Sequence, residues 1–334
     1  MKATLICSHL NEDEQVPTYH VVGRSLFIMG NEVVKHQANI KVSIDRITVV
    51  GNYASERLDN DMREWLRKPF VQDVDGGLQI FDDNNCYRDD FGNRHAYVAP
   101  EQVAFINSPK FLKDKIRIDF NPNHGLQSEG GQWLLKLIAS IPEKHFSRCD
   151  IAFDLFNEPT AKDYQVWRFG TGKQIILNRK SQMETTYYGS MKSGQQIRQY
   201  NKKVEQEARH GKTINVESWW RVELQLRGNK VQDYPRLVQK MLEEFYIPEY
   251  KTLKNPSQQA MVYAMMNEPT IYGNASEKTR QRWRKLLKET PTENRLSVEM
   301  AKKFVADFQR LEYELQSIMN RFNVIAEEND TINL

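Results

Sequence analysis

The feature that most constrains the fold of this chain is a short pattern that occurs four times. In each copy an arginine is followed, two positions later, by an acidic or hydroxyl residue, and the residue between them is usually apolar. The copies are Arg117-Ile118-Asp119, Arg148-Cys149-Asp150, Arg198-Gln199-Tyr200 and Arg221-Val222-Glu223. Side chains alternate between the faces of a strand, so each copy predicts a functional pair on one side of a sheet. A polar sheet face of this kind is costly unless something binds there, which makes it the candidate functional surface.

The surrounding sequence predicts a sheet followed by helices. Alternating, β-branched segments predict strands over 42–50, 115–120, 147–156, 174–177, 185–188, 196–200 and 219–227. Short connections between the last of these favour antiparallel pairing, because parallel crossovers need a dozen or more residues. Apolar periodicity predicts helices over 55–67, 130–141, 235–245, 257–266, 276–288 and 296–326, and 73–94 is predicted to be hairpin and loop. Ser276 is the expected N-cap of its helix.

The last predicted helix carries apolar side chains at alternating steps of four and three. They are Phe304, Phe308, Leu311, Leu315, Ile318, Phe322 and Ile325. Such a seam is typical of packing on the helix's own domain, and equally of a contact in a homodimer. The spacing alone leaves both interpretations open.

Charge and cysteine usage narrow the classes of partner. The net charge is only +3, but residues 168–212 contain ten Lys/Arg against three Asp/Glu. A locally basic stretch suits a polyanion, although a solvated surface has the same composition. Three scattered cysteines indicate neither a disulfide framework nor a CxxC metal site, and they favour a cytoplasmic location. The sequence has no apolar run long enough to predict a membrane span.

Carboxylates on the predicted polar face are candidate metal ligands. Asp150 and Asp154 lie four residues apart on one strand, and Glu223 and Asp119 occupy similar places on others. Oxygen ligands of this type suit Mg²⁺ or Mn²⁺. The alternative is ion pairing with the neighbouring arginines of the repeated pattern, and spacing alone favours that alternative.

Tyr200 is the candidate nucleophile. A phenol has a pKa near ~10, so it needs help at neutral pH. Arg198 on the same face, Lys202 nearby and a metal ion would each stabilise a phenolate and the charge that develops on a phosphate. The alternative is a strand tyrosine with a purely structural role. The seven histidines form no His–apolar–His motif, and there is no phosphate-binding glycine loop or GxSxG elbow.

Seven blocks, taken in order, resemble one known family. They are Val42-Ser43-Ile44-Asp45 with Thr48-Val49-Val50-Gly51-Asn52, Arg117 to Asn123, Arg148 to Asp154, Glu184 to Gly189, Ile197 to Lys203, Trp220 to Leu224, and Gln259 to Tyr263. Together they resemble the rolling-circle replication initiators of small Gram-positive plasmids, the Rep-trans type. The resemblance implies an α+β fold whose curved, mainly antiparallel central sheet carries the active site, flanked by helices and followed by a helical C-terminal region.

The resemblance also implies roles for individual residues. Tyr200 matches the nicking nucleophile, with Arg198, Lys202 and Arg221 steadying the transition state, and the metal-associated acids fall among Asp150, Asp154 and Glu223. Origin recognition maps to about 270–284, where the basic residues of that segment and its border are Lys278, Arg280, Arg282, Arg284 and Lys285. Two departures stand out: Gln199 replaces an apolar residue and is expected to loosen packing, and Gln225 replaces an acid.

From this resemblance we expect a peripheral segment (1–40), a catalytic nicking domain (41–230), a helical origin-recognition region (231–290) and a C-terminal helix (291–334). The leading hypothesis is a Mg²⁺- or Mn²⁺-dependent strand transferase. It would act as a homodimer on double-stranded origin DNA and a single-stranded target, with a host helicase and DNA polymerase as partners. The alternatives are a relaxase of an integrative conjugative element and a non-catalytic, sequence-specific DNA-binding regulator.

Overall fold

The computed structural model describes residues 15–22, 25–33, 39–52, 71–74, 77–82, 86–88, 94–96, 101–108, 115–211 and 213–330. The helix predicted over 55–67 lies outside the described residues. The described strands are β1 (Gln15–Val22), β2 (Ser25–Val33), β3 (Asn39–Asn52), β4 (Val71–Val74), β5 (Gly77–Phe81), β6 (Cys86–Arg88), β7 (Arg94–Ala96), β8 (Gln102–Asn107), β9 (Lys115–Phe120), β10 (His145–Phe156), β11 (Gln165–Val166), β12 (Lys173–Leu177), β13 (Met183–Tyr188), β14 (Gln195–Asn201), β15 (Trp219–Arg227), β16 (Phe245–Pro248) and β17 (Thr292–Glu293).

Ten of these strands form one sheet, in the order β12-β13-β14-β15-β10-β3-β9-β8-β5-β4. Every neighbouring pair in this sheet is antiparallel. The four copies of the repeated pattern fall on β9, β10, β14 and β15, so they share one sheet. This confirms the α+β fold with a mainly antiparallel central sheet.

Outside the large sheet the strands form small pairs. β1 pairs with β2 within the segment for which the sequence predicts only a peripheral position. β6 pairs with β7 in the region predicted to be hairpin and loop, where β4 and β5 also pair as the edge of the large sheet. β16 pairs with both β11 and β17 and connects the sheet region to the helical C-terminal part.

Seven α-helices are described. They are α1 (Glu129–Ser140), α2 (Lys202–His210), α3 (Tyr234–Glu243), α4 (Pro256–Asn267), α5 (Pro269–Asn274), α6 (Glu277–Glu289) and α7 (Arg295–Asp330), with short 3-10 turns at Pro159–Lys162, Gly228–Asp233 and Tyr250–Thr252. The predicted N-cap is confirmed, because Ser276 Oγ accepts a hydrogen bond from the Thr279 amide at 3.3 Å. Among the described helices, none is both long enough and apolar enough to cross a membrane.

The apolar face of the sheet packs against α1, α3 and α7 and forms the main core. On β10 the inward side chains Cys149, Ile151, Phe153 and Leu155 are completely buried, as alternation predicts. Burying one such Ile, Leu or Phe side chain is worth about 1.5–3 kcal/mol. The opposite face therefore carries the arginines and acids of the repeated pattern.

The apolar seam of α7 packs inside the molecule. Phe304, Phe308, Leu311, Leu315 and Ile318 are buried in the main core, and the side chains of the two remaining seam residues lie outside the described part. Packing on its own domain is thus the observed use of the seam. The homodimer stays a prediction.

A bulge in β3 places two charged side chains, those of Asp45 and Arg46, on the polar face of the sheet. Ile44 and Ile47 are both fully buried, although a spacing of three would put them on opposite faces of a regular strand. The register with β10 shifts there, since Asp150 pairs with Arg46 while Ile151 pairs with Ile44. Asp45 is the extra residue of the bulge, and its carboxylate lies on the polar face of the sheet.

Candidate active site

The polar face of the sheet forms the floor of a cleft of about 570 Å³, which we call the Tyr200 cleft. Strands β3, β10, β14 and β15 supply its central side chains, and α2 closes one side. The predicted residues in its lining are Tyr200, Arg198, Lys202, Arg221 and Asp154. Asp150 and Glu223, which were also predicted as site residues, do not line it.

Strand register arranges the site in rows that run across three strands. Tyr200 of β14 lies opposite Arg221 of β15, and Arg221 lies opposite Asp154 of β10. The next row is Arg198, Glu223 and Ala152, in the same strand order. The order tyrosine–arginine–aspartate is therefore a property of strand pairing between segments distant in sequence.

The local sequence around Tyr200 explains how its neighbours are placed. Arg198 and Tyr200 share a face of β14, and Asn201 then ends the strand by capping α2, where its side chain accepts a hydrogen bond from the Val204 amide at 3.1 Å. Lys202 therefore stands in the first turn of a helix beside the tyrosine. Its ammonium lies 5.6 Å from the centre of the Tyr200 ring and pairs with Glu205 at 2.6 Å.

Tyr200 is nearly buried, and the Arg198 guanidinium lies 3.8 Å from the centre of its ring. Within the described part of the chain, its hydroxyl makes no hydrogen bond. Burial raises the pKa of Tyr200 above the ordinary value of a phenol; the charge of Arg221 lowers it, but not enough to compensate. The tyrosine is thus protonated at neutral pH, and it needs a proton acceptor and a nearby positive charge to act as a nucleophile.

Arg221 is held by two acids, which accept hydrogen bonds from three of its nitrogens. Its Nε and Nη2 donate to the two oxygens of Asp154, each at 2.8 Å, and its Nη1 donates to Asp45 at 2.5 Å. Trp219 adds a hydrogen bond from its indole Nε1 to Asp154 at 2.6 Å. Burial lowers the pKa of Arg221, but the hydrogen bonds and charges of Asp154 and Asp45 outweigh burial and raise it overall. The guanidinium is permanently charged and fixed in position beside Tyr200.

The structure does not bring the three predicted metal-binding acids together. Four strand residues of about 3.3 Å each separate Asp150 from Asp154 by about 13 Å. Glu223 lies opposite Ala152, diagonal to both and about 7–8 Å from each. An ion could thus touch Glu223 and one aspartate, but not all three. Among the described residues, no group of three or more His, Cys, Asp or Glu is poised to hold an ion.

Asp150 instead pairs with an arginine of its own strand. It is fully buried, and Arg148 donates to it through Nε at 2.9 and 3.0 Å and through Nη2 at 2.5 Å. Burial raises the pKa of Asp150 to about 7, with Arg148 acting in the opposite direction and Glu223 adding to the rise. Arg117 and Asp119 form a similar ion pair on β9. The ion-pairing alternative therefore describes these two copies of the pattern.

Asp45 and Trp219 belong to the site, although sequence reasoning assigned them no role. The signal for Asp45 was a change of phase in β3: Val42 and Ile44 point inward, and so do Ile47 and Val49. Such a shift indicates a bulge, and the polar residue inside it becomes a candidate. For Trp219 the local sequence contains no comparable signal.

The two glutamines that depart from the family pattern are both hydrogen-bonded. Gln199 donates to the carbonyls of Ala161 and Tyr164 at 2.9 and 3.0 Å, so it joins β14 to a neighbouring turn instead of loosening the packing as predicted. Gln225 donates to Glu223 at 2.7 Å and accepts from Arg227 at 3.2 Å. Gln225 thereby links the single acid of β15 to Arg227.

The five basic residues predicted to bind DNA lie on α6 and divide into two sets. Lys278, Arg282 and Lys285 are exposed and follow one another at steps of four and three, so they form one stripe on the helix. Arg280 and Arg284 face the protein and pair with Glu277 at 2.9 and 3.5 Å. Only the first set is exposed enough to meet a phosphate backbone, with Lys285 in a long, solvent-exposed pair with Glu289 at 3.9 Å.

Comparison with known proteins was decisive for the family. Residues 144–331 match the model of the Rep-trans family, which is described as replication initiation factor. The chain belongs to this family. The matched region contains all twelve residues predicted for catalysis, metal binding and DNA binding, whereas Asp45 of the cleft lies outside it.

Individual relatives of this Rep-trans chain come from Staphylococcus aureus. Two replication initiation proteins are 28% identical over 257 residues, which cover 75% of this chain and 76% of each relative. Another is 30% identical over 198 residues, which cover 57% and 61%. Among solved structures, a rolling circle replication initiator protein from Geobacillus stearothermophilus matches with a TM-score of 0.33 and 14% identity, over 60% of this chain and 78% of that one. A likeness this weak bears on neither the site nor the mechanism.

Proposed function

We propose that this chain initiates plasmid rolling-circle replication by nicking one strand of a double-stranded origin and rejoining it at termination. The observation that carries the proposal is the row of Tyr200, Arg221 and Asp154, in which an unengaged phenol lies beside a fixed guanidinium in a polar cleft. Membership in the replication initiation factor family supports the same assignment.

In the proposed reaction, Tyr200 Oη attacks a phosphorus of the DNA backbone and the bond from phosphorus to O3′ breaks. The products are a 5′-phosphotyrosine and a free 3′-OH; the phenol proton passes to a carboxylate of the cleft or to water, and the leaving O3′ takes a proton from water. The raised pKa of Tyr200 makes this proton transfer part of the step, since no phenolate stands ready. The same attack in reverse, by a 3′-OH on the phosphotyrosine, rejoins the strand.

Positive charge beside the tyrosine would bind the reacting phosphate. Arg198 covers the Tyr200 ring, and its Nε is buried without a hydrogen-bond partner among the described residues. Lys202 is nearby, and its partner Glu205 is partly exposed. Arg221 already has two carboxylate partners, so its role would be to orient the site and to hold charge there.

The acids of the cleft that could hold a hard divalent cation, Mg²⁺ or Mn²⁺, share only Asp154 with the predicted set. Asp45 and Asp154 line the cleft beside Tyr200, and their carboxylates, which accept hydrogen bonds from Arg221, would share their oxygens with the ion; Asp150 is buried elsewhere against Arg148. We propose Asp45 and Asp154 as the residues that would hold the ion. When bound, it would polarise the scissile phosphate as a Lewis acid.

The exposed stripe of α6 is the proposed duplex-binding surface. The host partners are a separate expectation: a helicase would unwind the duplex, and a DNA polymerase would extend the 3′-OH. A homodimer would supply a second Tyr200 for the second strand transfer. The lysines and the arginine of the exposed stripe would bind phosphates and position the protein on the duplex, whereas recognition of the origin sequence would need contacts to the bases.

The proposal is tested with end-labelled origin DNA from the cognate plasmid, in Mg²⁺ or in EDTA, followed by denaturing gels. We expect a covalent protein–DNA adduct with the unmodified chain and none with Tyr200→Phe, which should still bind the origin. Tyr187→Phe is the matched control, because Tyr187 pairs with Arg198 in the register and lies on the same face. Tight binding without an adduct from the unmodified chain would contradict the proposal and favour a non-catalytic regulator.

A further inference from the structure

A second cavity, of about 120 Å³, lies on the opposite side of the sheet from Tyr200. Tyr188 in its wall alternates with Tyr187 and bonds to Gln199, which faces away from the Tyr200 cleft. Most of its other walls come from the segment between β11 and β12, with one residue each from α4 and α5. We call it the aromatic pocket, and its ring-bearing residues are Trp167, Phe169, Tyr188 and Tyr272.

The aromatic walls are fixed by the inner face of α6. Phe169 and Tyr272 lie with ring centres 5.6 Å apart, and the Arg284 guanidinium lies 5.6 and 5.9 Å from these rings. Arg284 also donates to the Tyr272 hydroxyl at 2.5 Å. The arginine that faces inward from α6 therefore connects the pocket to the helix that carries the exposed basic stripe.

Two cationic residues, Arg168 and Lys173, line the pocket, and no Asp or Glu from the described part of the chain lines it. The Lys173 ammonium donates to the neutral Gln165 side chain at 2.7 Å and lies 5.5 Å from the centre of the Tyr188 ring. Among the described residues it has no carboxylate partner, and burial lowers its pKa to about 8. Arg168 pairs with Glu244 through Nε at 2.6 Å, but its buried Nη2 has no partner among the described residues.

A purely structural role explains the rings but not the charge. Trp167, Phe169 and Tyr272 pack around a small core that includes Val262 and Met265, and such a cluster needs no ligand. A half-buried ammonium without a counter-charge, however, costs free energy that the packing of the rings does not offset. An anionic group bound in the pocket would compensate for that cost.

We propose that the aromatic pocket binds one unpaired nucleotide of single-stranded DNA, with the base against Phe169 and Tyr272 and a phosphate near Lys173 and Arg168. Proteins usually bind single-stranded DNA with aromatic rings and cationic side chains, because the face of any base can stack on an aromatic ring and the cations bind the phosphates. The cavity is too small for a base pair. That the ligand is DNA rests on the proposed function, whereas the pocket is separate from Tyr200 and its chemistry.

The test measures the affinity of the full chain for a short fluorescein-labelled oligothymidylate by anisotropy, with Tyr200→Phe in every variant so that no cleavage occurs. Lys173→Met keeps the buried stem and removes the charge, and Phe169→Leu keeps apolar volume and removes the ring. We expect each to raise the Kd by about fivefold or more, the lower end of the effect of losing one base–aromatic stack. The matched controls are the exposed Lys180→Met and Tyr313→Leu, which should leave the Kd unchanged.

Equal affinities for the pocket variants and the controls would overturn the proposal. Binding of thymidine monophosphate alone, with no effect of the variants on the oligonucleotide, would overturn it as a DNA site. If Phe169→Leu fails to fold by circular dichroism, Lys173→Met decides, because Lys173 is bonded only to a neutral side chain. Nicking by the chain with an intact Tyr200 is measured separately, so the two proposals can fail independently.

Discussion

Individual arginine–acid pairs have two origins in this molecule. Arg148–Asp150 and Arg117–Asp119 lie two residues apart on one strand, so their pairing follows from alternation alone. Arg221 has an acid at the same spacing, Glu223, yet it binds Asp154 on the neighbouring strand. The difference matters for function, because the local pairs are stable ion pairs and the cross-strand pair lies beside the candidate nucleophile.

The raised pKa of Asp150 predicts a pH-dependent stability. Its folded pKa of about 7 lies above the unfolded value of ~3.9, so the folded state binds more protons between these values. Stability from this group is therefore fully present below about pH 4 and is lost as the pH rises through about 7. Urea unfolding over this range should show a weaker decline for Asp150→Asn than for the unmodified chain. Parallel curves for the two proteins would contradict the assignment.

The proposed ligand set predicts which acid matters for metal binding. Asp45→Asn should weaken binding of Mn²⁺, measured by electron paramagnetic resonance of the free ion, because it removes an oxygen ligand from the cleft. Asp150→Asn should leave Mn²⁺ binding unchanged, since that carboxylate is buried against Arg148. The reverse result would restore Asp150 as a ligand and exclude the set proposed here.

At the scale of elements, α6 shows how one helix serves two surfaces. Its inner residues Arg280 and Arg284 pair with Glu277, and Arg284 supports the aromatic pocket. Its outer stripe of Lys278, Arg282 and Lys285 is exposed. The number of basic residues in the sequence therefore overstates the charge available to a partner.

The exposed stripe predicts a graded loss of duplex binding. Replacing Lys278, Arg282 and Lys285 by glutamine, singly and together, should weaken binding to origin and non-origin duplexes alike. Each replacement should reduce the slope of log K against log salt by about one, because each removes a phosphate contact. Arg280→Gln is the control on the inner face and should change the slope little. A salt slope that does not respond to the stripe would place the duplex elsewhere.

In the whole molecule, the sheet separates a core on one face from the reactive groups on the other. Phe304 of α7 contacts Phe153 of β10 and Tyr234 of α3, with ring centres 6.3 and 6.2 Å apart, so it joins three elements in one core. This arrangement makes the long C-terminal helix part of the fold that supports the cleft.

Truncation of Phe304 tests that role. Phe304→Ala should lower the free energy of unfolding by about 3–5 kcal/mol, the usual cost of removing a buried phenylalanine. Tyr313→Ala on the exposed side of the same helix should cost little. Urea unfolding measures both, and sedimentation of the two variants shows whether either side of α7 takes part in a dimer. Equal, small losses would mean that α7 is not integral to the core.

The sequence by itself determined seven of the ten strands of the central sheet, the antiparallel pairing of the last of them and the face on which Arg198, Tyr200 and Asp154 lie. Alternation is a local property, and it is strong wherever one face of a strand is buried, as on β10 and β15. The helices after residue 228 and the Ser276 cap were predictable for the same local reason. Family membership followed from seven ordered blocks, none of which is informative alone.

Only the tertiary structure decided which polar groups meet. The pairing of Arg221 with Asp154 and Asp45 depends on register among three strands, and the separation of Asp150 from Asp154 depends on the length of β10. Likewise, α6 shows which cations are free, and the aromatic pocket joins β11–β13 to α4 and α5. These are contacts between segments far apart in sequence, and no local periodicity encodes the distance between them.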